Sequence, residues 1–68
     1  MRVNTQLLDE KIEKSGLKIS FITDKLGISS TGFSKKRKGI IPFKGAEIYV
    51  LCDLLRISEE EQPIIFYP

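Results

Sequence analysis

Apolar residues near the start of the chain recur at helical spacing. Leu7, Leu8 and Ile12 share one stripe, with Asp9, Glu10 and Glu13 on the wet side. The pattern predicts a first helix over 5–15. Asn4 or Thr5 can cap it by accepting a first-turn amide, and Gly16 supplies a left-handed closing residue. Leu17 opens a second apolar set in which Ile22 and Leu26 lie four apart, predicting a second helix over 19–26 that Gly27 stops. Ser29 is suited to cap a third helix over 30–38, with Phe33 as its apolar anchor and Gly39 as its closing residue. Gly32 costs that helix about 1 kcal/mol against alanine, so packing of Phe33 has to hold it.

Further along, Ile40, Ile41 and Phe43 punctuate a loop and are expected to dip into the core. Ile48, Leu51, Cys52 and Leu55 fit the 3.6-residue period of a fourth helix over 45–56, and Val50 and Leu54 widen its stripe enough for burial on two sides. Ser58 and Glu61 form a capping-box pair that opens a short helical turn over 59–62. Pro63 is expected to end it, leaving "IIFYP" extended and packed across the first helix or paired with a second subunit, the former being favoured. The expected fold class is all-α, a compact bundle of four to five helices in one domain over 1–68.

Composition narrows the possible chemistry. Sixty-eight residues with 41% hydrophobic content make one small domain with enough apolar surface for a core. No apolar run approaches the ~20 residues of a membrane span, and the start of the chain lacks the pattern of a secretory signal. A single cysteine, Cys52, fits a reducing cytoplasm and is read as a core residue. With no histidine and one cysteine, the usual zinc sites and nucleophile–base pairs lack their parts, so neither an enzyme nor a cofactor is expected. A small-molecule ligand is not expected either.

The net charge of +2 conceals an asymmetry. Residues 14–44 carry eight cations against Asp24 alone, while residues 45–68 carry Arg56 against five carboxylates. A basic middle on a near-neutral chain is the footprint of a polyanion partner; the plainer reading is that these charges only keep the domain in solution. The densest part is "SSTGFSKKRKG", residues 29–39, with four consecutive cations at Lys35, Lys36, Arg37 and Lys38.

The second and third predicted helices, joined at "LGIS", form the local pattern of a helix-turn-helix. Gly27 tolerates the positive φ that such a turn requires. Ile22, Leu26, Ile28 and Phe33 can pin the elbow, and Ser30, Thr31, Ser34 and Lys35 present small or polar groups with cations close by. The stretch "GLKISFITDKLGISSTGFSKKRKG" is similar to the pattern Gly-Leu-Ser-Gln-x-x-Leu-Ala-x-x-x-Gly-Val-Ser-x-x-x-Ile-Ser-x-x-x-x-Gly. On these residues, and on "AEIYVLCDLLRIS" as a fourth helix, residues 5–60 resemble the Cro/CI-type (XRE-like) helix-turn-helix family of phage repressor-like DNA-binding domains.

The resemblance implies a lambda-repressor-like bundle and a sequence-specific, double-stranded DNA-binding regulator. It would act as a repressor or Cro-like switch of phage or prophage origin, bound to its operator as a homodimer. Carried over position by position, Ser30, Thr31, Ser34 and Lys35 would meet base edges, and Lys18, Lys36, Lys38 and Lys44 would meet phosphates. Several positions depart from the family pattern. Lys18 stands where Ser or Thr usually caps the second helix, and Ile19 replaces a glutamine that meets a phosphate. Thr23 replaces a small alanine at the tightest helix contact. Lys36 fills a usually apolar slot, from which its ammonium is expected to snorkel outward. Gly32 has two readings, close approach to the groove or a tolerated flaw. Phe21 is read as packing on Phe43 or the tail, or as a partner surface; Tyr49 and Tyr67 are core rims or dimer contacts. The rivals are a protein-interaction module on the same fold, such as an anti-repressor or antitoxin-like partner, and a non-specific nucleic-acid coat.

Overall fold

Five α-helices succeed one another in the computed structural model, which describes residues 3–67: α1 Thr5–Ser15, α2 Ile19–Leu26, α3 Ser30–Arg37, α4 Gly45–Leu55 and α5 Gln62–Phe66. No strand occurs among the described residues. None of these helices is long and apolar enough to cross a membrane.

Local chemistry sets the boundaries. Asn4 is the N-cap of α1, its side chain accepting from the Leu7 N–H at 3.2 Å. Gly16 closes that helix in the left-handed region at φ 70°. The third helix ends at Arg37, one residue earlier than its pattern predicts, and the fourth ends at Leu55. Arg56 lies outside α4 at φ 55°, ψ 46°, the left-handed closing position that glycine usually fills.

The core runs through all five helices. Leu8 and Ile12 of α1, Ile22 of α2, Phe33 of α3, Leu51 and Leu55 of α4, and Ile65 and Phe66 of α5 are buried together. Helix α4 packs on α1 and α2, while α3 packs on both of those as well. Phe43 joins two ends of the core: its ring meets Phe33 edge-on at 6.2 Å and Phe66 at 5.7 Å between centroids. Its neighbours behave differently from expectation. Ile40 and Ile41 are exposed, because the turn after α3 directs the chain outward before Phe43 returns.

The C-terminal segment is a correction as well. Residues 62–66 form α5 rather than an extended tail. Proline in the first turn of a helix forfeits no hydrogen bond, since the amides there have no intrahelical partner. Ser58 and Glu61 prepare this start: Glu61 Oε1 accepts from the Ser58 N–H, and Ser58 Oγ accepts from the Glu61 N–H, each at 3.2 Å. The turn is tied to α1 by Lys11–Glu61 at 2.6 Å. Within the chain, the Asn4 N–H donates to the Ile65 carbonyl, and α5 lies on α1. Pro68, the last residue of the segment predicted to be extended, lies outside the described residues.

Candidate nucleic-acid interface

Only Gly27, Ile28 and Ser29 separate α2 from α3. Gly27 sits at φ 70° and donates to the Asp24 carbonyl, and the Ile28 N–H reaches back to the Thr23 carbonyl, both at 3.2 Å. These paired bonds satisfy carbonyls at the end of α2 and turn the chain within three residues. Ser29 then caps α3, its hydroxyl accepting from the Gly32 N–H at 3.0 Å. Ile22 is fully buried beneath the elbow, with Leu26 and Ile28 packed at its edge. Thr23 is buried too, its hydroxyl satisfied by the Ser20 carbonyl at 3.1 Å, so the larger residue is accommodated without an unpaired polar group.

The cation run on α3 divides by direction. Lys36 is buried, contrary to the snorkelling expected of it. Its ammonium lies 2.6 and 2.7 Å from the two carboxylate oxygens of Glu47 in the first turn of α4. The two side chains are only 10% and 9% exposed. Glu47 Oε1 also accepts from the Lys44 N–H at 2.9 Å. Burial alone would raise the Glu47 carboxyl, but the hydrogen bonds from Lys36 and Lys44 outweigh it and hold the group below its usual value. Lys36 is therefore engaged internally and has no free ammonium for a phosphate. A sequence signal for this pair existed. Lys36 follows Phe33 by three and Glu47 precedes Leu51 by four, so each charge falls on the inward stripe of its helix.

Arg37 is a second anchor. Its guanidinium grips Asp9 Oδ1 of α1 at 2.7 and 3.1 Å and stands 5.6 Å from the Phe33 ring centroid. The Thr5 hydroxyl donates to the Arg37 carbonyl at 2.9 Å. The C-terminal turn of α3 is thus fixed to α1 twice and to α4 once.

The opposite side of α3 is free of such duties. Ser30, Thr31, Ser34, Lys35 and Lys38 line one shallow open depression together with Ile40. None of these five polar side chains makes a hydrogen bond or ion pair among the described residues. The four residues predicted to meet bases are therefore neighbours, and Lys38 is beside them. Lys18 and Lys44 do not line this depression; each is exposed at the N-cap of its helix, α2 and α4 respectively. A cation there opposes the positive end of the helix dipole, an arrangement that disfavours the helix unless an anion is near.

Gly32 acquires a third explanation. A Cβ at this position would stand 3.3 Å from the Ser29 hydroxyl, so the glycine leaves room for the cap. Phe21 is half-exposed on α2 with Lys25 Nζ 5.4 Å from its ring centroid, and neither ring contact of Phe43 involves it. Tyr49 and Tyr67 are exposed rather than at the core rim. No family model, curated protein or solved structure matches this chain, and a reading of its function stands on these side chains.

Proposed function

We propose that the chain is a sequence-specific double-stranded DNA-binding regulator of the lambda-repressor-like type, with α3 entering the major groove. One observation carries the reading. Five adjacent polar side chains, four on the outward face of α3 and Lys38 at its C-cap, have no partner among the described residues, while Lys36 and Arg37 on the inward side of that helix's last turn are anchored. Hydroxyls and an ammonium suit base edges, which in the major groove present donors and acceptors that distinguish all four base pairs. Lys35 fits the guanine O6 and N7 acceptors, and Lys38, Lys18 and Lys44 serve phosphates. Regulation would follow from occlusion of a promoter by a homodimer on a palindromic operator.

Fluorescence anisotropy with a duplex obtained by random-library selection tests this. Three phosphate contacts per protomer, six for the homodimer, give a slope of log affinity against log salt of about −5. Lys35→Ala should relax preference at one base position per half-site, whereas Lys38→Ala should weaken all sequences alike and reduce the salt slope of the dimer by about two. Absence of duplex binding at low salt would end the proposal.

A second reading is favoured by the apolar side chains left in solvent away from α3, Phe21, Tyr49, Ile64 and Tyr67. These suit a protein partner, as in an anti-repressor or antitoxin-like role. Binding insensitive to salt and to Lys35 or Lys38 would support it.

A further inference from the structure

We infer that Ile40, beyond the end of the reading helix, is a specificity determinant that contacts the C5-methyl group of a thymine; the inference rests on the DNA-binding reading. Single exposed apolar residues are common on folded proteins, so exposure alone carries nothing. Three further features distinguish Ile40.

Its position is fixed. Gly39 adopts φ 79°, the Gly39 N–H donates to the Lys36 carbonyl at 3.1 Å, and the Ile40 N–H donates to the Lys35 carbonyl at 2.9 Å. The carbonyls that hold it belong to the turn anchored by Glu47 and Asp9. Secondly, this closure usually packs its last residue against an apolar side chain one turn back. Here those positions are Lys35 and Ser34, and Ile40 remains 66% exposed. Thirdly, it shares its depression with Ser30, Thr31, Ser34, Lys35 and Lys38. An aliphatic group beside hydroxyls and cations matches a surface that is itself mostly polar with one apolar projection. In the major groove that projection is the thymine methyl. Ile41 provides the contrast, because it lines a separate depression with Phe43 and Tyr67.

The test uses the full chain and the duplex selected from a random library, with each thymine replaced singly by deoxyuridine. The native protein should lose about four-fold affinity at one thymine per half-site, the value of one buried methyl group. Ile40→Ala should bind more weakly and lose that sensitivity at the same position, while Ile41→Ala should keep it. Retention of the deoxyuridine effect in Ile40→Ala, or insensitivity of the native protein at every thymine, would overturn the inference while leaving DNA binding intact. So would an Ile40→Ala protein whose only change is weaker self-association in sedimentation. Failure to select any consensus would overturn the DNA-binding reading itself and the inference with it.

Discussion

The buried pair Lys36–Glu47 invites the most demanding perturbation. Glu47→Leu leaves an ammonium without a partner in the interior, and Lys36→Met leaves a carboxylate holding only the Lys44 N–H. Breaking a buried pair from one side costs about 3–5 kcal/mol. The four-carbon stem of Lys36 can swing outward to relieve part of this, which places Glu47→Leu near the lower figure. A chain of this size has about 3–10 kcal/mol of total stability, so either single variant should lose a large share of it and unfold at a much lower urea concentration. Lys36→Met with Glu47→Leu removes both charges and keeps the volume. It should lie within about 2 kcal/mol of the native protein, on either side. Urea unfolding followed by far-ultraviolet circular dichroism gives the four free energies and hence the coupling, expected to be about 4 kcal/mol or more from these figures. Single variants each losing under about 1 kcal/mol, with no coupling, would refute the burial argument.

Acid unfolding supplies an independent check on the same pair. The folded Glu47 carboxyl is depressed, so its contribution is complete above the unfolded value of about 4.3 and disappears as pH falls through the lower folded value. The native urea midpoint should fall as pH drops from 5 towards 3, and the double variant should fall less. Glu61, depressed by hydrogen bonds from Lys11 and from the Ser58 N–H, remains in both proteins and keeps some of the slope. Equal slopes would assign the acid sensitivity elsewhere.

Other variants follow from single features. Arg56→Gly relieves a left-handed backbone at φ 55° and should add about 1 kcal/mol, raising the melting temperature by roughly 4–8 °C in a calorimetric scan; an unchanged or lower value contradicts the strain. Gly32→Ala gains about 1 kcal/mol of helix propensity but crowds the Ser29 cap, worth a similar amount. Its stability should thus be nearly unchanged, and a selective loss of duplex affinity would favour close approach to the groove. The buried Cys52 thiol is raised by desolvation, and a thiol reagent at neutral pH should label it far more slowly in the folded than in the urea-unfolded protein.

Four of the five helices were legible because their signals are local. Asn4, Gly16, Gly27 and Ser29 act within a few residues of where they stand, and the apolar stripes repeat within each helix. What escaped is conditional on context. Pro63 stops a helix only when it falls beyond the first turn, and whether it does depends on where the preceding Ser58–Glu61 turn leaves the chain. Ile40 and Ile41 count as apolar in any pattern, but a left-handed Gly39 decides that they face water. Lys36 departs from its expected outward course because a lysine has two ways to tolerate an inward position, and the choice rests with Glu47, eleven residues away on another helix.

That partner changes what the cation run means. Helix α3 carries Gly32 and β-branched Thr31, few features that would hold it as an isolated helix. Its stability must come from the inward side, where Phe33, Lys36 and Arg37 reach α1, α4 and the core. Two of the four consecutive cations are consumed by this anchoring, which leaves the other two, Lys35 and Lys38, outward beside three hydroxyls. The division has a thermodynamic consequence. Substitutions at Ser30, Thr31, Ser34, Lys35 and Lys38 are nearly neutral for folding, since none of these side chains holds anything in the chain. A helix fixed from behind can therefore change its outward residues, and with them its preferred ligand, while Lys36, Arg37 and Phe33 keep the scaffold unchanged.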